Sequence, residues 1–450
     1  MTPDPAHSGP SPAPARTVVP AVVIGSALEW FDFYLFASMA AVVFGAVFFP
    51  AQSPVAGALA AIATFAVGFV VRPLGGLLFG LLGDRIGRKR VLAVTFLLMG
   101  VSSGLIGLIP SYATIGVLAP VLLVVLRIAQ GLGAGAELGS AIAVSYEHSD
   151  AARRGRFAAW PAFGVNVGLF AASLVVTILT SLDRTWLVEW GWRVPFLASF
   201  ALVAIGVWVR ARMPETPEFA KVADRAAARP ATTPLRDLFR GHWRGVVVVG
   251  LVTIGYLAGS YVYKTFSLTY LVQFRGVAAN VGPLGVTIAS AVAIVVVPFA
   301  GRLCDRFAPG TVVGAGAAGV AVLAFPFFWA LDSGSPVAII AVLVVGTGII
   351  MPVMLAASGA YFAQQFPTEV RASGLGIGRE VAGVVGGLAP LGALAVVAAT
   401  PGHASWPVSL MFLAAALCIA AGVLFNQRGR MANTVAPAPS DEEGAVWTSR

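Results

Sequence analysis

Twelve long apolar runs dominate this chain, and they leave few folds open to it. A membrane-spanning helix needs about 20 apolar residues, and runs of that length occur at roughly 18–49, 54–82, 91–109, 115–146, 157–182, 192–212, 246–273, 281–301, 311–331, 336–364, 372–398 and 405–426. With no water in the bilayer core, every backbone N–H and C=O in such a run must find its partner inside the helix. The chain is 58% hydrophobic and only 11% charged, where a soluble domain averages about 25% charged. The spacing therefore predicts an all-α membrane protein of twelve transmembrane helices.

An even number of spans puts both termini on one side, and basic residues choose that side. Arg16, Arg85 to Arg90, Arg153, Arg154, Arg156, Arg302, Arg306, Arg371, Arg428 and Arg430 fall on one face, together with the basic central loop. The opposite loops carry only Arg184, Arg193 and Arg275. Both termini are expected to be cytoplasmic. The net charge of +9 then reflects basic cytoplasmic loops and not a nucleic-acid surface. Residues 1–16 and 427–450 read as cytoplasmic tails, and 213–245 as a polar linker dividing the spans six and six, 17–212 from 246–426. Cys304 and Cys418, the only cysteines, fall in an expected loop and a span, so no disulfide framework or zinc spacing forms. Walker loops and His-x-x-x-His pairs are absent, and the single G-x-S-x-G match, Gly100-Val101-Ser102-Ser103-Gly104, lies inside an apolar run and not on a strand-to-helix turn. ATP-driven transport, hydrolysis, a metal and a cofactor therefore lack a sequence signal.

One polar stretch recurs. Gly80-Leu81-Leu82-Gly83-Asp84-Arg85-Ile86-Gly87-Arg88-Lys89 sits between the second and third spans, and a partial copy, Gly301-Arg302-Leu303-Cys304-Asp305-Arg306, returns about half a chain later. The same charged hinge at matching places in two halves indicates a duplicated chain, and two such bundles suggest a transporter that rocks one half against the other.

Eight ionisable residues fall within the spans: Glu29, Asp32, Arg72, Arg127, Glu137, Lys264, Arg379 and Glu380. Each costs about 2.5–3.5 kcal/mol at the bilayer centre, so unpaired they would cost about 20–28 kcal/mol. They must pair or line an aqueous cavity. Glu29 and Asp32 are three apart and share a helical face. Two desolvated carboxylates make a proton carrier; pairing with Arg72 or Arg127 would make them structural instead. Arg127 and Gln130 share a face on which a planar fork and an amide can meet a carboxylate, while Gly131, Gly135 and Gly139 suit close helix packing. In the seventh span Tyr256, Ser260, Tyr263, Lys264, Ser267 and Tyr270 follow one helical face, with Lys264 suited to an anionic or carbonyl-bearing ligand. Arg379 and Glu380 are sequential, point about 100° apart and need not pair.

On these features the chain resembles the major facilitator superfamily, and within it the metabolite:proton symporters. The hinge at Gly80 to Lys89 carries the first resemblance. The second rests on Leu28-Glu29-Trp30-Phe31-Asp32-Phe33, Arg72-Pro73-Leu74-Gly75, Arg127-x-x-Gln130-Gly131, Trp192-Arg193-Val194-Pro195-Phe196, Pro214-Glu215-Thr216-Pro217-Glu218-Phe219 and Phe366-Pro367-Thr368-Glu369-Val370-Arg371. The chain departs from the family at Arg379-Glu380, where an aromatic–Asn pair is frequent, and at Gly135-Ala136-Glu137, where the family has Gly-Gly-Glu.

The resemblance implies two six-helix bundles in a bacterial inner membrane. It implies a gate motif of Gly80, Asp84, Arg85, Gly87 and Arg88 with its partial copy at Asp305 and Arg306, and Glu29 and Asp32 near the proton path. Arg127 lies near the substrate, with Gln130, Tyr263, Lys264 and Arg379 completing the expected site. The family imports carboxylates such as citrate, 2-oxoglutarate and shikimate, and zwitterions such as proline and betaine. Lys264 and Arg379 favour a small organic anion, carried in with protons. A proton-antiport exporter and a non-transporting membrane sensor are the alternatives, and eight buried charges argue against the sensor. If the hinge gates the carrier, Asp84→Asn slows transport far more than it weakens ligand binding; unchanged turnover in reconstituted vesicles would count against that role.

Overall fold

The computed structural model describes residues 15–50, 53–86, 88–135, 137–147, 149–211, 238, 240–367 and 370–435. For some of these, including Gly80, Asp84, Arg85, Arg88 and Glu137, it describes the backbone alone. Gly87 and most of the expected linker at 213–245 lie outside the described residues.

Among the described residues twelve long helices follow one another. α1 runs Ala15–Met39, through a π-helical turn at Ala40–Phe44, to Gly45–Phe48. α2 is Pro54–Ile86, α3 Arg88–Ile106, α4 Leu118–Ala134 resuming as Glu137–Glu147, α5 Trp160–Ser181 and α6 Arg193–Ala211. α7 comprises Trp243–Tyr261, a π-helical turn at Val262–Phe266, and Ser267–Phe274. α8 is Val281–Arg306, α9 Pro309–Asp332, α10 Pro336–Leu343 with a π-helical Val344–Ile350 and Met351–Ala363, α11 Arg371–Ala399 and α12 Trp406–Val435. Nine of these are by themselves long and apolar enough to span a bilayer among the described residues, and α6 joins them with the bent segment before it. α3 and the first part of α4 are shorter apolar helices.

Helix–helix contact repeats with an offset of six. α1 packs on α5 as α7 packs on α11, α2 on α4 as α8 on α10, and α3 on α6 as α9 on α12. The two halves meet along α2–α11 and α5–α8, a pair of seams that the same offset interchanges. The π-helical turns of α1 and α7 are related in the same way. Such turns concentrate at functional sites because they break the regular ladder.

Small residues set how closely the helices approach, as expected where lipid supplies no hydrophobic drive between them. Gly131 lies against the backbone of Gly68, and Gly135 against the backbone of Arg72 and Gly76, which draws α4 onto α2. Gly139 faces Gly376 across the boundary between the halves, where an added Cβ would sit 3.4 Å from the Gly376 nitrogen.

Several expected boundaries move. The stretch around the first hinge is not an extended loop, since α2 continues to Ile86 and α3 starts at Arg88. The second copy is wholly helical, so Cys304 is a buried residue of α8 and not a loop residue. α12 runs on to Val435, beyond the start of the tail expected at 427. In each case the helix keeps backbone hydrogen bonds that its polar side chains do not disrupt.

Gly131→Ala is expected to lower the thermal midpoint of the detergent-purified protein, because its Cβ would overlap the Gly68 carbonyl oxygen and overpacking costs about 1–3 kcal/mol. Gly314→Ala, whose Cβ would come no nearer than 4.0 Å to Val423, serves as the neutral control.

Candidate functional site

The buried charges gather where α1, α2, α4 and α11 converge. Arg72, on α2 one residue before Pro73, is 5% exposed and spans three neighbours. Its Nε donates to Glu380 Oε2 of α11 at 2.8 Å, and its Nη2 donates to Glu29 Oε1 of α1 at 3.3 Å and to the Ala134 carbonyl of α4 at 3.1 Å. A second, longer contact of 3.5 Å links Nη2 to Glu380 Oε1. The Ala134 carbonyl is free to accept because α4 ends its first segment there, leaving the last carbonyls without partners in the helix.

Asp32 belongs to a different group. Its Oδ2 accepts from Gln130 Nε2 of α4 at 2.9 Å and from the Ser103 hydroxyl of α3 by a short bond, and its Oδ1 lies 3.5 Å from the Ser199 hydroxyl of α6. Gln130 also accepts from Arg127 Nη1 at 3.1 Å. The Arg127 guanidinium is fully buried and lies 4.3 Å and 4.2 Å from the ring centroids of Phe33 and Phe36, within cation–π range of both. Gly68 leaves the room that this guanidinium occupies.

Glu29 and Asp32 therefore do not form one carboxylate pair. They are neighbours along α1, but Glu29 turns to α2 and Asp32 to α3, α4 and α6, each with its own donors. The expected face shared by Arg127 and Gln130 is present, and the carboxylate it meets is Asp32, through Gln130. Ser103 and Ser199 were missed, since a serine in an apolar run signals nothing by its position alone. Arg72 and Glu380 were visible only as buried charges.

The polar stripe of α7 is split by the π-helical turn, which inserts one extra residue and rotates everything after it. Before it, the Tyr256 phenol lies within electrostatic reach of Arg379. At the turn's start Tyr261 stacks on Trp30 at 6.4 Å and meets Phe69 edge-on at 5.1 Å, touching the other half. Tyr263, by contrast, packs its ring 4.5 Å from Phe327 of α9 and 4.4 Å from Phe412 of α12, inside its own half and away from the ion cluster. Tyr270 is farther still and donates to Asp332 at 2.5 Å, beside Arg275. Lys264 is 5% exposed and makes no hydrogen bond or ion pair among the described residues. Arg379 is likewise buried, and its Nε has no acceptor among them.

At the arginine-rich end of the bundle two further ion pairs cross between the halves. Glu147 of α4 meets Arg371 of α11 at 2.5 Å. Asp305 accepts from the backbone N–H of Arg156 at 3.1 Å and pairs with its guanidinium at 3.3 Å, so the aspartate of the second hinge grips the segment leading into α5. Arg306, next to it, lies over the Phe307 ring at 5.7 Å. Gly80, Asp84, Arg85 and Arg88 of the first hinge are placed by backbone only.

Comparison with known proteins accounts for this architecture. The model of the Major Facilitator Superfamily matches residues 22–390. The Escherichia coli K12 inner membrane metabolite transport protein YhjE is 37% identical over 376 residues, 82% of this chain and 84% of its own. The shikimate transporter of the same organism is 35% identical, covering 88% and 91%. Its proline/betaine transporter is 32% identical, covering 96% and 87%. The solved proton:xylose symporter XylE superposes with a TM-score of 0.68 over 92% of this chain and 95% of its own, at 17% identity, which speaks to the fold. The family match, these relatives and the twelve-helix arrangement together make the chain a membrane transporter, not an enzyme, belonging to the Major Facilitator Superfamily.

Proposed function

We propose that the protein imports a small organic anion together with protons, by alternating access between its two halves. The observation that carries this reading is Lys264, buried in the seventh helix with no hydrogen bond or ion pair among the described residues. Arg379 is buried as well, and its Nε has no acceptor among them. A buried cation without a counter-charge is costly, and a carboxylate from solution would supply it. Co-transported protons would offset the membrane potential that opposes anion import.

In this reading the units 17–212 and 246–426 rock about the seams α2–α11 and α5–α8, with 213–245 as their linker. The arginine-rich end faces the cytoplasm of a bacterial inner membrane, by the positive-inside rule. Asp84, Arg85 and Arg88, and Asp305 with Arg306, close the cytoplasmic gate. The Asp305–Arg156 contact supports this, because it joins the halves where an inward opening would part them. Asp32, linked through Gln130 to Arg127, and Glu29 on Arg72 provide the carboxylates for proton movement. Arg127, Gln130, Lys264 and Arg379 surround the substrate. Tyr263 contributes from behind, by setting the position of the π-helical turn that carries Lys264. A zwitterionic substrate is the second reading, supported by the likeness to the proline/betaine transporter and by the aromatic group of Trp30, Tyr261 and Phe69, which suits a quaternary ammonium.

Uptake of labelled shikimate and of labelled glycine betaine into proteoliposomes, with and without an imposed inward proton gradient, tests the reading. Gradient-driven accumulation of the anion is expected; uptake indifferent to the gradient would leave a uniporter or exchanger, and efflux driven by the gradient would leave an exporter. Lys264→Ala is expected to weaken shikimate binding at least tenfold while changing the affinity for its uncharged methyl ester little. Equal losses for both would make Lys264 structural.

A further inference from the structure

Among the described ion pairs that join the two halves, Arg72–Glu380 is the most buried, with side chains 6% and 10% exposed. The other two lie toward one end of the bundle and are wetter. Arg72 holds two carboxylates, and they differ in one respect. Glu29 is on α1, in the same half as Arg72, so that pair travels with its half as a unit. Glu380 is on α11, in the opposite half, so its pair must stretch whenever the seam between α2 and α11 opens. Its geometry is also the better of the two, at 2.8 Å to Nε against 3.3 Å for Glu29 to Nη2. A guanidinium offers a fork matched to one carboxylate, and Glu380 occupies that fork in this arrangement.

We propose that Glu380 is a built-in competitor for the carboxylate of the transported solute, which takes its place on Arg72 and so frees the two halves to move. Glu380 is a positioning residue in this scheme, and Arg72 is the group that touches substrate. The empty carrier is held together by its own carboxylate, and a buried arginine is never left bare. An arriving carboxylate exchanges one ion pair on Arg72 for another, so loading costs little desolvation beyond the solute's own. The displaced Glu380 then no longer bridges α2 and α11. The charged groups around it are Arg72 and Glu29 across the seam and Arg379 on its own helix, while the phenols of Tyr256 and Tyr261 on α7 lie within electrostatic reach of Arg379 and Arg72.

This deepens the transport reading above but needs only a carboxylate on the solute, so it holds for an anion and a zwitterion alike. The test compares wild type and Glu380→Gln in nanodiscs, with shikimate and glycine betaine as the probes, since each carries one carboxylate. Removing the competitor is expected to tighten the Kd of whichever probe binds by at least tenfold. A merely structural residue would give an unchanged or weaker Kd on substitution, and that result overturns the proposal. A second measurement decides the matter should neither probe bind. Spin labels at Val121→Cys on α4 and Val337→Cys on α10, both lipid- or solvent-exposed positions, report the separation of the halves in a Cys418→Ser background. Without ligand, Glu380→Gln is expected to broaden or shift that distance distribution. A distribution superimposable on that of wild type overturns the proposal. Should only glycine betaine bind, and bind more tightly to Glu380→Gln, the organic-anion reading fails while the competition stands.

Discussion

A single guanidinium, that of Arg72, joins α1, α2, α4 and α11 at the middle of the molecule. Removing an ion from water costs several kcal/mol even after relaxation, and only close, multiply bonded partners offset it. That requirement reaches well beyond the ion. α4 must come near enough for its Ala134 carbonyl to accept, and it does so because Gly131 and Gly135 let it lie on the α2 backbone. α11 must press against α2 across the boundary between the halves, and it presents Glu380 at that seam. The same guanidinium thus ties α1, α2 and α4 of one half to α11 of the other.

The duplication is plain in the packing and largely erased in the chemistry. Every principal helix contact in one half has its counterpart six helices later, and both hinges place an aspartate at the end of an even-numbered helix. The interior charges are unequal, however. The first half concentrates Glu29, Asp32, Arg72 and Arg127 with the donors Ser103, Gln130 and Ser199, whereas the second contributes Lys264, Arg379 and Glu380 and a core of edge-on and tilted aromatic rings around Phe327 and Phe412. Among the described residues the carboxylates of the first half lie with their donors, whereas Lys264 of the second makes no hydrogen bond or ion pair.

Individual residues show how far reading the chain could go. Arg127 and Gln130, three positions apart, were expected on one face and are hydrogen-bonded there, because both lie within one regular helix. Glu29 and Asp32 have the same spacing, yet their side chains diverge to different neighbours, since the helices flanking α1 offer Arg72 on one side and Ser103 and Gln130 on the other. The α7 stripe failed for another reason. A π-helical turn at Val262–Phe266 adds a residue to the register, and no local pattern announced it. Tyr263 was consequently expected on one face with Lys264 and instead packs against Phe327 and Phe412, inside its own half. Cys304 was placed in a loop because polar residues follow an apolar run, although a helix tolerates polar residues in its last turns.

Span number, the basic side and the repeated hinge were legible in the chain because a bilayer imposes them locally: each segment must satisfy its own backbone in lipid, whatever surrounds it. The identity of the buried charges was legible for the same reason, as each stands out against an apolar background. Which carboxylate meets which cation was not. Pairing depends on the rotation of each helix about its axis, on how near glycines allow a neighbour to come, and on where a π-helical turn shifts the face presented. Those are properties of twelve helices packed together, and they exist in no one segment of the chain.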